Sequence, residues 1–489
     1  MEKLEKDAQK IIDKIKQKNG NSPDLLIKEI PLNLLQKVYL LHYKSLTDNT
    51  KINEFILKGL QQTIRNNKTS VFKNTLSLIE KSIPNSNTNI VDNYSDLFLN
   101  LFSGYCVIVL NDYQKAIAFE ATAHLDRGIV ESTTEQIIQG PKEGLNESYE
   151  KNVGLIRKRI KSENLWLEET IVGRETKTKV GMLYIKGIAE EELINSVRQK
   201  INSIDIDGIM DISYVDNLID KEQKYSFPPH LKTERPDWIS MGLLEGKVVL
   251  LTENSPFALV IPTFLIDYFH TPDCYYQKAI HNTIMRLIRL LAFIVSLLAP
   301  AIYISLISYN QEIIPHTLLL NIVGQRQTIP FPAFIEALLL LFSFELMREG
   351  DIKTPQNIGS SIAILGAVIL GQAGIMAGLV SPIMVIIISL TSISALVFQS
   401  LDVIYAIRIW RYIFIIFATV LGIVGIMACG LLFCTLLCSV KSFGKPYMYP
   451  FAPLDFEGLK DSFFRIPIAS SKRRPAILAG QRIIKHRKV

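Results

Sequence analysis

The chain has 489 residues, 48% of them apolar and 20% charged, with a formal net charge of +6. That length excludes a single ordinary domain. The positive charge comes without the aromatic-basic array or module that nucleic-acid binding requires, so nucleic acid is not an expected partner. Five cysteines (Cys106, Cys274, Cys429, Cys434, Cys438) form no C-x-x-C pair, which speaks against a disulfide framework or a metal site.

Residues 1–28 read as a flexible charged lead without the apolar core of a secretory signal. Residues 29–150 form a first soluble subdomain. In it LIKEIPLNLLQKVYLLHY and FILKGLQQTI have helical periodicity, while CVIVL and AIAFEA read as strands around Asn111-Asp112. The connector QGPKEGLNES (139–148) leads to a second subdomain, 151–270, where helical and strand patterns alternate. The fold class expected of this soluble region is α/β or α+β, in two parts. No Walker phosphate loop or G-x-G-x-x-G run is present. Arg157, Lys158, Arg159 and Lys161 could grip an anion, although a solvated helix face is the simpler reading.

Residues 271–289 read as an amphipathic linker helix, and 290–440 as an α-helical polytopic membrane domain. Leu290–Tyr309 is an uncharged 20-residue run, long enough for a hydrocarbon core of about 30 Å. Glu336 and Glu345 flank an apolar stretch after a Pro-Phe-Pro corner. Carboxylates at membrane depth usually face protein or water and mark a pathway. The plainer alternative is an interfacial helix with Glu345 paired to Arg348. Residues 354–401 carry no charge and contain Gly366, Gly371, Gly374 and Gly378; these are candidates for close helix packing, with Gly374 and Gly378 as a G-x-x-x-G step. Val368 and Ile369, near Gln372, are candidates for an apolar pore constriction.

Counting 290–309, 330–347, 360–380, 383–399 and 412–440 gives five crossings. An odd number places the basic tail, 441–489, opposite the N-terminal region, whereas the positive-inside rule wants both in the cytoplasm. The expected resolution is four or five spans with 330–347 re-entrant.

Several stretches resemble the A subunit of the GerA-type spore germinant receptors. They are QGPKEGLNES, LIRKRIK (155–161), VGRETKTKV (172–180), KTERPD (232–237), LLEGKV (243–248), PFALVIP (256–262), PFPAFIEALLL (330–340), FELMREG (344–350) and SFGKPYMYPFAP (442–453). The resemblance covers about residues 100–475. It implies an integral protein of the spore inner membrane with its N-terminal domain toward the spore core. It further implies a homo-oligomer that conducts inorganic ions, alongside a permease-like, nutrient-binding B subunit and a lipoprotein C subunit. No catalytic residue, cofactor or metal is implied. Leu339-Leu340-Leu341 departs from relatives that place Met-Glu there, which weakens a carboxylate ring. The alternatives are an accessory protein like stage V sporulation protein AF, which shares the motifs, and a secondary transporter. No repeated hydrophobic halves support the latter. A membrane enzyme finds no nucleophile elbow or H-E-x-x-H run.

Overall fold

The computed structural model describes residues 2–489 except 32–36, 61–78, 80–82, 84–86, 124–131, 133, 136, 138, 221–225, 354–370, 468–472, 476, 479, 481–483 and 485–489. It divides into two compact units. The first comprises Met1–Glu222, His230–Thr263 and Ile468–Val489, and the second Gln223–Pro229 and Phe264–Pro467.

The first unit is α+β, with two five-stranded antiparallel sheets. Strands β1 (Leu25–Pro31), β2 (Lys37–Tyr43), β3 (Thr88–Val91), β4 (Tyr105–Leu110) and β5 (Ala116–Glu120) lie in the order β1-β2-β4-β5-β3. Strands β6 (Leu165–Val172), β7 (Thr178–Ile185), β8 (Leu231–Thr233), β9 (Val248–Thr252) and β10 (Ala258–Ile261) lie in the order β6-β7-β9-β10-β8, the same topology repeated. The surrounding helices repeat as well. α1 (Ala8–Lys18) and α3 (Tyr149–Arg159) precede the opening hairpins. α2 (Tyr94–Phe102) and α6 (Pro236–Glu245) join the third strand of each sheet to the fourth, while α4 (Glu191–Asn202) and α5 (Ile212–Ile219) belong to the second half. Equivalent turns even share left-handed backbone, at Gly104 and Gly246 and at Asp112 and Asn254.

Two expectations change here. Residues 25–31 and 37–43 form the antiparallel pair β1 and β2 where periodicity suggests helix. In β2 every residue from Val38 to Tyr43 is buried: Val38 and Leu40 enter an apolar cluster with Ile52 and Ile56 on one face, while Tyr43 packs against Phe102 and Arg157 on the other. A strand covered on both faces loses its alternation, and a short apolar run then imitates a helix. Residues 1–28 are not loose either: α1 buries Ile11, Ile12 and Ile15. It ends at Gly20, φ +63°, where an added Cβ would lie 2.1 Å from the Trp166 ring.

The two halves are tied by a buried ion pair. Arg157, fully buried on α3, donates to both oxygens of Asp24 (2.6 and 3.0 Å) and to Ser22 Oγ (2.9 Å) and Leu165 O (3.3 Å), while Ser45 Oγ also donates to Asp24. Arg159 and Lys158 pair with Glu143 at 2.5 and 3.5 Å. The basic run therefore splits: Arg157 is buried in the tie, whereas Lys158 and Lys161 stay exposed to solvent. The stretch around 132–145 is held by the KTERPD segment: Glu234 accepts from Ser132 Oγ and Thr134 N, and Arg235 donates to Glu135 O and Pro141 O.

The second unit is helical: α7 (Ala279–Ser308), α8 (His316–Arg326), α9 (Ala333–Lys353), α10 (Pro382–Ala395) and α11 (Leu401–Ser439). By length and composition α7 and α11 can cross a membrane. α9 is one continuous 21-residue helix containing Glu336 and Glu345. α11 is two arms. At Gly422 the backbone adopts φ +63°, ψ −139°, a conformation that side chains oppose. Tyr309 packs on this break and donates to Thr419 O (2.6 Å). Arg411 donates to Ser296 O (2.7 Å), so the first arm rises beside α7 in the same direction. Phe433 then packs edge-to-face against Trp410, with ring centroids 4.8 Å apart, so the second arm returns. After it, Leu265 N donates to Tyr447 O and Arg286 to Asp461 Oδ1 (3.2 Å), bringing the chain back to the start of α7.

The sequence reading of 412–440 as one span thus becomes a hairpin of 401–439. This supplies a reversal of chain direction that the sequence reading lacked. In a cysteine-free background, Gln311→Cys and Lys445→Cys should label from opposite faces of sealed vesicles. Labelling of both from one face contradicts this layout. For the first unit, losing one partner of a buried pair costs about 3–5 kcal/mol, against about 0–1 kcal/mol for an exposed pair. Asp24→Ala should therefore lower the urea midpoint strongly, while Lys44→Ala, from the exposed Lys44–Glu150 pair, should barely move it.

Candidate functional site

Ionised groups occur at two levels of the apolar helical unit. The first level surrounds Glu336. The Pro330-Phe-Pro332 corner starts α9, and Glu336 sits in its first turn, where the helix dipole favours a carboxylate. Glu336 is fully buried. Its Oε1 lies 3.1 Å from Arg326 Nη2, contributed by the last turn of α8. Its Oε2 accepts from Ser381 N at 2.9 Å. Ser381 is the N-cap of α10 and Pro382 its first residue, a favoured helix start. Glu336 thus neutralises one helix end and satisfies another. Tyr303 adjoins Arg326, Glu336 and Ser381. Among the described residues its hydroxyl and Arg326 Nη1 are buried without a hydrogen-bond partner.

The second level lies nine residues further along α9, about 13 Å at 1.5 Å per residue. Glu345 pairs with Arg408 Nε at 2.6 Å, and both are partly exposed. Arg348, one turn on, lies near Glu345 and Arg408 without the i,i+3 ion pair expected from sequence. Arg411 is buried and uses Nε on Ser296 O. Beside this level is a cavity of about 640 Å³ lined by Glu345, Arg348, Gln372, Arg408 and Arg411 together with apolar side chains of α9, α10 and α11.

The site residues expected from sequence therefore separate. Glu336 is enclosed in an internal pair, whereas Glu345 and Gln372 share the cavity. Gly371 also lines it, with room for a Cβ 3.6 Å from Val385. Gly374 is tighter, at 3.1 Å from Val380. Gly378 does not share a helix face with Gly374. It ends the helix in left-handed backbone (φ +62°), with Leu379 N donating to Gly374 O and Gly378 N to Ile375 O. That is a Schellman end, so glycine is required there by φ and not by helix approach. Val368, Ile369 and Gly366 lie outside the described residues.

Sequence reasoning missed the partners Arg326, Ser381, Arg408, Arg411 and Ser296, and the break at Gly422. By sequence alone Arg408 and Arg411 read as preceding the apolar run 412–440. The signal available was that 401–421 is itself long enough to be an arm, which puts both arginines inside it.

The family model described as Bacillus/Clostridium GerA spore germination protein matches residues 13–477. Spore germination protein KA of Bacillus subtilis is 35% identical over 468 residues, covering 95% of this chain and 86% of that protein. Spore germination protein B1 of the same organism is 32% identical, covering 96% and 97%. Spore germination protein GerLA of Bacillus cereus is 30% identical, covering 97% and 96%. Among solved structures, the N-terminal domain of the A subunit of the Bacillus megaterium spore germinant receptor GerK3 matches with 29% identity and a TM-score of 0.42, covering 53% of this chain and 95% of that one.

The Glu336 cluster generates a stability prediction. Glu336→Leu strands Arg326 and the Ser381 N–H, a loss of about 3–5 kcal/mol. It should lower the melting temperature of the detergent-solubilised protein by more than Glu336→Gln, which keeps an acceptor. Adding Arg326→Met to Glu336→Leu should recover part of the loss. Wild-type melting of Glu336→Leu refutes the assignment.

Proposed function

The chain belongs to the GerA spore germination protein family, and from that membership we propose that it is the A subunit of a nutrient germinant receptor in the spore inner membrane. The observation that carries the proposal is the family match across nearly the whole chain, soluble and helical units alike. In this reading the first unit faces the spore core. The helical unit oligomerises with further copies into an ion-conducting pore. A permease-like B subunit binds the nutrient, and a lipoprotein C subunit completes the receptor.

Three features support conduction. Ionised side chains sit inside apolar helices at two levels, where charge usually marks a pathway. The glycine-rich helix stops at Gly378 and α10 starts afresh at Ser381, and broken backbone at membrane depth is used where it lines a cavity or is buried in protein. Finally, the sequence ahead of Gln372 carries the apolar pair Val368 and Ile369, which suits a constriction that closes by excluding water.

Such a gate opens when its side chains shrink. The purified receptor in planar bilayers should conduct only with nutrient, whereas Val368→Ala or Ile369→Ala should conduct without it, and spores carrying either should leave dormancy early. A scan of 363–377 without any leaking variant, together with a wild-type assembly that never conducts, removes the pore from this subunit.

A further inference from the structure

We propose that the cavity between α9, α10 and α11 is a binding site for an anionic phospholipid, its phosphate held by Arg348 and Arg411 and its acyl chain lying along the apolar wall. The proposal does not depend on ion conduction.

The charge at the cavity is unbalanced. Three arginines, Arg348, Arg408 and Arg411, line it against the single carboxylate of Glu345. Arg408 directs its Nε to that carboxylate at 2.6 Å. Arg411, only 4% exposed, uses its Nε on Ser296 O. Among the described residues no acceptor meets the terminal nitrogens of Arg411 or any part of Arg348, and both line the same cavity as Arg408. Three guanidinium groups held together with one counter-charge repel each other, and an anion placed among them relieves that repulsion. Guanidinium forks match the oxygens of a phosphate with charge-assisted hydrogen bonds.

The walls and the level select the kind of anion. Apart from Ser389 and Ser392 the rest of the wall is mostly apolar, with Ile375, Val385, Ile393, Leu396 and Ile404, a surface that suits acyl chain. Arg348 stands five residues before the end of α9, and Arg411 ten residues into α11. At 1.5 Å per residue both lie about 8–15 Å inside the helix ends, a depth at which long arginine side chains reach the headgroup layer. Basic pockets between spanning helices at that layer hold anionic headgroups. Gly371 and Gln372 also border the cavity, so a bound lipid would touch the glycine-rich helix directly.

The test uses the full-length protein purified in a neutral detergent. Phosphatidylglycerol, phosphatidylcholine and inorganic phosphate are added separately, and bound lipid is counted by native mass spectrometry beside the melting temperature. Phosphatidylglycerol should bind and raise the melting temperature; phosphatidylcholine and inorganic phosphate should do neither. Arg348→Gln should weaken phosphatidylglycerol binding about tenfold, the worth of one charge-assisted contact. Val385→Trp, which fills the cavity without touching its charges, should also remove the bound lipid and supplies an independent reading. Equal binding of the two lipids, an equal shift with inorganic phosphate, or unchanged phosphatidylglycerol binding in both variants overturns the proposal.

Discussion

The helical unit is organised by the cost of placing charge among apolar helices. An ionised side chain at the centre of a spanning helix costs about 2.5–3.5 kcal/mol even by insertion measurements, a cost that a partner on another helix offsets. Glu336 of α9 finds Arg326 of α8 and the first amide of α10. Glu345 finds Arg408, and Arg411 finds the carbonyl of Ser296 on α7. These contacts link helices far apart in sequence and set both neighbour and direction. Apolar packing alone is far less selective, because lipid is as good a neighbour for leucine as another helix is.

The same logic operates in water in the first unit. Its two halves repeat one topology, each with its own apolar core, and polar contacts join them. Arg157 and Asp24 are saturated by hydroxyl, carbonyl and each other, which offsets much of the desolvation such a pair incurs. Glu234 and Arg235 hold the stretch that connects the halves. Segments through which the chain resembles its family, QGPKEGLNES, LIRKRIK and KTERPD, meet in these contacts. Part of the family signature therefore encodes the joint between the halves.

Glycine acts through backbone in both units. Gly20 and Gly246 sit at helix ends and Gly422 at a reversal, all with positive φ. At Gly422 that freedom turns one long apolar segment into two antiparallel arms, and Tyr309 covers the turn. A side chain there would oppose the backbone conformation and meet the Tyr309 ring at 3.0 Å.

Composition and periodicity alone determined that a soluble two-part region precedes an apolar helical one, and the ordered motifs identified the family. Both are sums over local residues, which need no partner to be legible. The helix starts at Pro330-Phe-Pro332 and Ser381-Pro382 were equally local. Tertiary structure decided that 25–31 and 37–43 are paired strands, since burial on both faces of β2 erases the alternation that marks a strand. It decided that Arg157 is a buried tie and not a surface charge, because Asp24 lies more than a hundred residues away. It also decided which carboxylate is enclosed and which faces open space: Glu336 and Glu345 look alike in sequence, and only the arrival of Arg326 and Ser381 at one, and of a cavity at the other, makes them differ. Pairing between distant residues is a property of the folded chain, so no window of sequence carries it.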